Sequence, residues 1–170
     1  MNSAERYSAI FVDNIYIMIK IVDGTSAGHF PHDYEDSIAE GVHVTLPDSY
    51  LTFLRGANGG VPVEQLVKCG RLEFIVERFL SAIPDLSSSE LSMYDIGVVD
   101  AQISDRLNDY LCPFAALFAG DFLCFDCEWR KEARVVIWNH ELSDTLAPKL
   151  LHVCDTFEEF QAQYPIIKSS

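Results

Sequence analysis

Residues 45–60 of the chain read TLPDSYLTFLRGANGG, and this stretch decides how the rest of the sequence is interpreted. Thr45 precedes a proline and an acidic residue, a pattern typical of a helix N-terminus with Thr45 as the N-cap. The apolar side chains that follow recur at helical spacing and predict one buried face: Tyr50, Leu51, Phe53 and Leu54. The glycines at residues 59 and 60 end the helix and turn the chain. The stretch therefore predicts a short amphipathic helix followed by a sharp turn.

Short apolar runs bounded by turn residues follow this helix and are typical of strands. The first two flank Cys69 and Gly70 and predict a hairpin. The runs that predict strands are residues 61–67, 72–79, 113–118, 122–128 and 134–139. We expect these successive strands to form a meander.

Helix signals occur on both sides of these strands. The predicted helices are residues 33–40, a segment from Glu90 to about Asn108 capped by the serines 87–89, and a last helix that begins at Asp155 and Thr156 with Glu158 placed for a capping box. The segment from Tyr7 to Val22 fits a helix or a strand, since its periodicity does not decide between them. The sequence thus predicts a single α+β domain over residues 31–165, in which helices flank the strands. An N-terminal extension over residues 1–30 precedes this domain.

The chain is strongly acidic, with a formal net charge of −14 over 170 residues. Such a surface repels phosphate groups, so binding to nucleic acids or to anionic membranes is not expected. It favours fast capture of a basic protein, although solubility alone is an equally good interpretation of the charge. The most negative stretch lies between Asp85 and Glu128, where nine acidic residues occur with one basic residue, Arg106.

The five cysteines predict free thiols in a reducing, cytoplasmic environment, since their number is odd and the Met1 end lacks a signal-peptide pattern. Cys124 and Cys127 form a single CxxC inside a predicted strand. A zinc site would need a second pair, and residues three apart in a strand face opposite sides, so packing is the preferred interpretation. No cofactor is expected.

Catalytic patterns are not evident in the sequence. There is no GxSxG and no GxxxxGK, and the turns at residues 58–60 and 120–121 do not resemble a loop that cradles phosphate. His29 and His32 lie beside Asp33, but a solvated loop is preferred over a metal site for them. Asp121 and Asp126 could in principle act as an acid and a base, yet a strand-end role is preferred for Asp126. The sequence therefore predicts a protein without enzymatic activity.

Three blocks resemble the SMI1/KNR4 superfamily, also called SUKH domains. The first is LPDSYLTFL at residues 46–54 with NGG at 58–60, similar to the family's LPxxYxxFL…NGG. The second is PFA at 113–115, GDFLCFD at 120–126 and VVIWNH at 135–140, similar to PFA…GDxLCxD…VxxWxH. The third is DTFEEF at 155–160, similar to the family's terminal SFxxF helix. Together the blocks span about residues 33–160.

This resemblance implies an α+β fold with a mostly antiparallel sheet, and it implies binding without a shared catalytic mechanism. Many bacterial members of the family are similar to immunity proteins, which bind and neutralise a polymorphic or contact-dependent toxin, in some cases a nuclease. Fungal members resemble scaffolds that regulate wall synthesis. We therefore expect an immunity protein with a basic toxin as its partner. The first alternative is a regulatory scaffold that binds an endogenous partner. The second is a small-ligand binder or an enzyme with an unrecognised pocket.

The residues expected to bind the partner belong to two acidic clusters and one aromatic turn. These residues are Asp33, Glu35 and Asp36 in the first cluster, Asp121, Asp126 and Glu128 in the second, and Trp129 in the turn that follows. An exposed tryptophan in a charged turn would suit an interface hot spot. The second cluster extends to the nearby carboxylates Asp95, Asp100, Asp105 and Asp109. No residue pattern decides the oligomeric state.

Overall fold

The computed structural model describes residues 19–128, 132–145 and 147–164. Its helices are α1 (Glu35–Val42), α2 (Asp48–Gly56), α3 (Ile96–Ile103) and α4 (Phe157–Gln163). Its strands are β1 (Leu66–Cys69), β2 (Leu72–Phe79), β3 (Leu111–Leu117), β4 (Phe122–Asp126), β5 (Arg134–Asp144) and β6 (Ala147–Cys154). Short 3-10 turns occupy His32–Tyr34, Leu86–Ser88, Ser92–Tyr94 and Phe118–Gly120.

The six strands form one antiparallel sheet in the order β1-β2-β3-β4-β5-β6, so each strand pairs with its neighbour in sequence. In the centre of the sheet Leu123 of β4 lies opposite Ile137 of β5. The sheet curls, and the Cys69 thiol at the end of β1 donates to the His152 carbonyl of β6 at 3.1 Å. The chain is a single α+β domain, which confirms the predicted fold class.

The turn after α2 fixes how this helix meets the sheet. Asn58 is buried, and its side chain donates to the Ala82 carbonyl and accepts from the Ala82 amide, both at 2.8 Å. Gly59 has φ of 68°, and a β-carbon there would lie 2.6 Å from the Leu80 carbonyl oxygen. Only a residue without a side chain fits this approach, so the sequence of the turn determines where α2 packs.

The main core lies between one face of the sheet and the helices, and aromatic rings dominate it. Tyr50 of α2 is fully buried, with its ring centroid 4.9 Å from that of Phe125 and 5.2 Å from that of Phe157. Phe114 stacks on Phe125 with ring centroids 4.3 Å apart. Each such ring buries a large apolar area, which makes this cluster the principal stabilising contact of the fold.

A smaller core covers the opposite face of the sheet. It contains Leu107, Leu111, Cys124, Val136 and Trp138. The connection between α3 and β3 lies over it, and the Arg106 guanidinium stands 5.2 Å from the Trp138 ring centroid. The two buried cores explain why β3, β4 and the first half of β5 read as nearly continuous apolar runs.

Two predicted helix starts are wrong. The helix proposed for residues 90–108 begins only at Ile96, and its N-cap is Asp95, whose carboxylate accepts from the Val98 amide at 3.1 Å. Asp95 Oδ2 also accepts from the Ile83 amide at 2.8 Å, a tertiary contact that a local pattern does not contain. Thr45 does not cap α2, which starts at Asp48 after Pro47 and has no side-chain cap.

Other element boundaries also differ from the prediction. The strand expected at residues 61–67 begins at Leu66, and β6 was not predicted. The last helix is capped by Thr156, whose hydroxyl accepts from the Glu159 amide at 3.1 Å. The reciprocal partner is Glu159 and not Glu158, since Glu159 accepts from the Asp155 amide at 3.0 Å.

The N-terminal prediction is only partly described. Residues 7–18 lie outside the described residues, whereas Ile19 and Phe30 are buried in the main core. Within the described ranges, no helix has the length and apolar character needed to span a bilayer.

Candidate partner-binding surface

The first predicted acidic cluster lies around the start of α1. Asp33 and Asp36 are exposed, whereas Glu35 is paired within the protein. The Arg55 Nε of α2 donates to the Glu35 carboxylate at 2.8 Å, and His32 Nδ1 lies 3.1 Å from it. The bond from Arg55 lowers the pKa of Glu35. The free charges of this cluster therefore belong to Asp33 and Asp36.

Asp121 of the second cluster is buried and organises the turn before β4. Its Oδ1 accepts from the His140 amide at 3.0 Å and lies 2.9 Å from His140 Nδ1. Asn139 donates to Oδ2 at 3.4 Å. His140 is thus a hydrogen-bonded histidine next to the turn at residues 118–120. The Asp121 carboxylate therefore has its hydrogen-bond partners within the fold.

Asp126 is fully buried at the end of β4. Arg134 Nε donates to its Oδ2 at 2.6 Å, and the Glu128 amide donates to Oδ1 at 3.0 Å. Both oxygens therefore have partners within the protein, and the residue closes the turn between β4 and β5. Glu128 is half-buried beside it, and Trp129 lies outside the described residues.

An open cleft of about 360 Å³ lies where the end of α1 meets the strand ends of β3, β4 and β5. Its lining residues are His43, Val44, Thr45, Asp109, Tyr110, Cys127 and Ala133. The β3–β4 hairpin brings two sides of the cleft together, since the Cys127 amide donates to the Tyr110 carbonyl at 2.9 Å. His43 follows α1 with φ of 57°, a left-handed conformation that ends the helix at the rim of the cleft.

Three carboxylates lie at or beside this cleft. Asp109 lines it, Asp100 interacts electrostatically with the lining residues His43 and Asp109, and Glu128 interacts with the lining residue Tyr110. The pKa of Asp100, on α3, is raised from 3.8 to about 6, mainly by burial. The charge on His43 lowers this pKa, whereas the Asp109 carboxylate raises it. Burial also raises the pKa of Tyr110, and the Glu128 carboxylate adds to this effect. We call Asp100, Asp109 and Glu128 the cleft carboxylates. Asp100 and Asp109 are close enough to influence one another, and Glu128 lies near Tyr110, so a cation brought by a partner would be attracted here.

The thiols are not suited to nucleophilic chemistry. Burial raises the pKa of Cys127, at the cleft, to about 11 and that of Cys154 to about 12. The pKa values of Cys112 and Cys124 are also raised well above the ordinary range, chiefly by burial. Cys124 packs in the smaller core and Cys127 against the main core, consistent with opposite sides of the sheet. Among the described residues, no group of three or more His, Cys, Asp or Glu side chains could hold a metal ion.

The site thus differs in composition from the predicted one. Glu128 belongs to both, and Asp100 and Asp109 come from the acidic stretch recognised in the sequence. Three of the lining residues were not predicted as part of the site: His43, Thr45 and Tyr110. Each is either distant from the acidic stretch in the sequence or uncharged, and only the fold brings it to the cleft.

Comparison with known protein families gives a match over most of the chain. The model of the SMI1 / KNR4 family (SUKH-1) matches residues 36–163, which is most of the chain. No curated protein matches the chain. The matched residues run from α1 through α4 and so include all six strands and the cleft carboxylates. The chain belongs to the SMI1/KNR4 family (SUKH-1).

Proposed function

We propose that this chain is an immunity protein that neutralises a cognate toxin by binding a basic surface of the toxin at the cleft carboxylates. Members of the SUKH family are known as immunity proteins in toxin systems. The observation that carries the proposal is an open cleft lined by Asp109, with Asp100 close enough to interact with Asp109 and Glu128 close enough to interact with the lining residue Tyr110. Like charges held together raise the energy of the free protein, and lysine or arginine side chains of a partner would remove that cost.

The net charge of −14 supports the same proposal at longer range. A strongly negative surface accelerates encounter with a basic partner, and the acceleration decreases with salt. A nuclease domain is one fitting class of toxin, because its surface has to attract phosphate groups. Asp33 and Asp36 are exposed near the start of α1 and could extend the interface.

The test is capture of the partner from a lysate of the source cell, at about 50 mM and about 300 mM salt, where screening differs strongly. The test variant is Asp100→Asn with Asp109→Asn. The matched control is Glu141→Gln with Asp144→Asn, which removes the same charge at the opposite end of β5 from the cleft. We expect one basic protein to be captured by the native chain and by the control, to be lost with the test variant, and to be captured less at high salt.

Capture alone does not establish immunity, so the captured protein is then produced by itself and together with this chain. Growth inhibition that is relieved by co-production of this chain supports the proposal. A harmless partner would contradict it and favour a regulatory scaffold. Capture that the cleft variant leaves unchanged would show that binding occurs elsewhere on the protein.

A further inference from the structure

Three exposed apolar side chains form a continuous row on the side of the sheet opposite the main core. Leu66 of β1 lies opposite Ile75 of β2, and the two are 42% and 47% exposed. Phe118 directly follows Leu117, which lies opposite Val76, so Phe118 continues the row beside Ile75. The Phe118 side chain is 65% exposed. We call Leu66, Ile75 and Phe118 the apolar row.

The alternation of side chains along the strands explains why the apolar row faces outwards. Its neighbours in sequence, Val67, Val76 and Leu117, are buried in the main core. Because successive side chains in a strand point to opposite faces, the row lies on the other face of the sheet. The smaller core lies on that face from β3 to β6, where it extends from Leu111 to Leu150. The apolar row is therefore the exposed continuation of the smaller core across β2 and β1.

The turn that carries Phe118 is held in one conformation. Ala119 has φ of 68°, a left-handed conformation that a residue with a side chain rarely adopts. The Leu117 amide donates to the Asp121 carbonyl at 2.9 Å across the turn, and the Asp121 carboxylate accepts from the His140 amide. These bonds fix the backbone that presents the aromatic ring, so little freedom is lost when a partner covers it. A contiguous exposed apolar patch is typical of an interaction surface.

The charges next to the apolar row distinguish between the kinds of partner. Lys68 and Glu73 lie opposite each other on the same face, with Nζ and Oε1 3.2 Å apart, and both are exposed. The β1–β2 hairpin, residues 66–79, contains three basic and two acidic residues, so its net charge is +1, whereas the whole chain carries −14. A basic partner is therefore attracted to the cleft carboxylates and not to this hairpin. A second copy of the chain meets no local repulsion here.

We propose that two copies of the chain associate through the apolar row, related by a two-fold axis. In such a contact the same patch meets itself, so the patch has to be self-complementary. The apolar row meets this condition, since the three side chains of each copy cover those of the other. Lys68 and Glu73 meet it too, because a two-fold axis between them brings the lysine of one copy towards the glutamate of the other. The cleft, at the opposite ends of β3 and β4, stays free to bind a different partner.

Analytical ultracentrifugation of the full chain tests this association. We expect the mass to rise from the monomer value of 19.1 kDa to twice that value between about 1 µM and about 200 µM protein. Two chains of charge −14 repel each other at long range, so association should be stronger at about 300 mM than at about 50 mM NaCl. Binding of a basic partner has the opposite salt dependence, so the two kinds of contact give distinguishable results.

Two leucines with equal exposure provide a matched pair of variants. Leu66 in the apolar row is 42% exposed, and Leu86, in the turn that follows β2, is 41% exposed. Leu66→Ser should raise the dissociation constant at least about 3-fold, and Phe118→Ser at least about 10-fold. Leu86→Ser should leave the dissociation constant unchanged. Since all three side chains are exposed, circular dichroism should show a folded domain in each variant.

Charge exchange tests the two-fold arrangement. Lys68→Glu gives each copy two acidic residues beside the row, and Glu73→Lys gives each copy two basic residues, so each variant alone should associate more weakly than the native chain. A mixture of the two variants should associate more tightly than either variant alone, because opposite charges then face each other.

A native chain that remains monomeric at about 200 µM in both salt conditions would overturn the proposal. Association that weakens with salt would also overturn it, as would association that Leu66→Ser and Phe118→Ser leave unchanged. A mixture of the two charge variants that associates no more tightly than either alone would contradict the two-fold contact.

Discussion

Asp100 shows at the scale of one residue how the cleft affects the stability of the protein. Partial burial beside the cleft raises its pKa from 3.8 to about 6. The folded state therefore holds the proton more tightly than the unfolded chain does. The contribution of Asp100 to the free energy of unfolding is fully present below about pH 4. It decreases as the pH rises towards 6 and remains lower above that pH.

Asp100→Asn removes this penalty and should stabilise the protein at neutral pH. We expect the free energy of unfolding to rise by about 1 kcal/mol at pH 7.5, a value reduced for partial solvent screening, and to change little at pH 3.5. Urea unfolding at the two pH values measures the difference. The control is Asp144→Asn on the exposed end of β5, which should change stability by less than about 0.5 kcal/mol at both. A gain independent of pH would contradict this account of Asp100.

At the scale of elements, the turn between α2 and the sheet tolerates no side chain at Gly59. A β-carbon there would lie 2.6 Å from the Leu80 carbonyl oxygen and 2.7 Å from that of Phe79, and φ is 68°. Gly59→Ala should therefore lower the free energy of unfolding by more than about 2 kcal/mol.

Gly41→Ala is the matched control for that substitution. Gly41 lies inside α1, and a β-carbon there would meet no atom within 4 Å. Alanine should therefore raise the free energy of unfolding by about 0.5–1 kcal/mol, because it has the better helix propensity. Chemical unfolding of the two variants should give opposite signs, and a small loss at Gly59 would mean that the turn can shift to accept a side chain.

The elements that could be predicted from the sequence are those with a local signal. The strands β2 to β5 are apolar runs bounded by turn residues, and α4 has its own cap in Thr156. β6 escaped prediction because Pro148, Lys149 and His152 interrupt its apolar pattern, and it is held by pairing with β5. The start of α3 depends on Asp95, whose second contact is with Ile83 and so becomes evident only in the fold.

The candidate site was predictable only in its charge. The acidic stretch contains Asp100, Asp109 and Glu128, but the same stretch contains Asp95 and Asp126, which are buried and bonded within the protein. Sequence spacing does not separate the two kinds, since burial depends on which strand end or helix start each residue occupies. His43 reaches the cleft from the end of α1, and no local pattern connects it with Asp100.

For the whole molecule, a net charge of −14 means that the folded chain repels itself. Salt screens this repulsion, so we expect the melting temperature at pH 7.5 to rise by roughly 2–4 °C between about 20 mM and about 300 mM NaCl. The gain should shrink at pH 5, close to the isoelectric point of about 4.5. Calorimetry at both pH values measures it. A melting temperature that falls with salt at pH 7.5 would mean that favourable ion pairs outweigh the repulsion.

The order of the strands has a consequence for synthesis on the ribosome. Since every strand after β1 pairs with its predecessor, each of these strands finds its neighbour already outside the exit tunnel when it is made. The longest interval is that between β2 and β3, where residues 80–110 have to emerge first. A chain released after β4 would present an unpaired strand edge and an incompletely covered Phe125, both of which promote aggregation. The nascent chain therefore remains prone to aggregation until the β5–β6 hairpin and α4 have emerged from the ribosome.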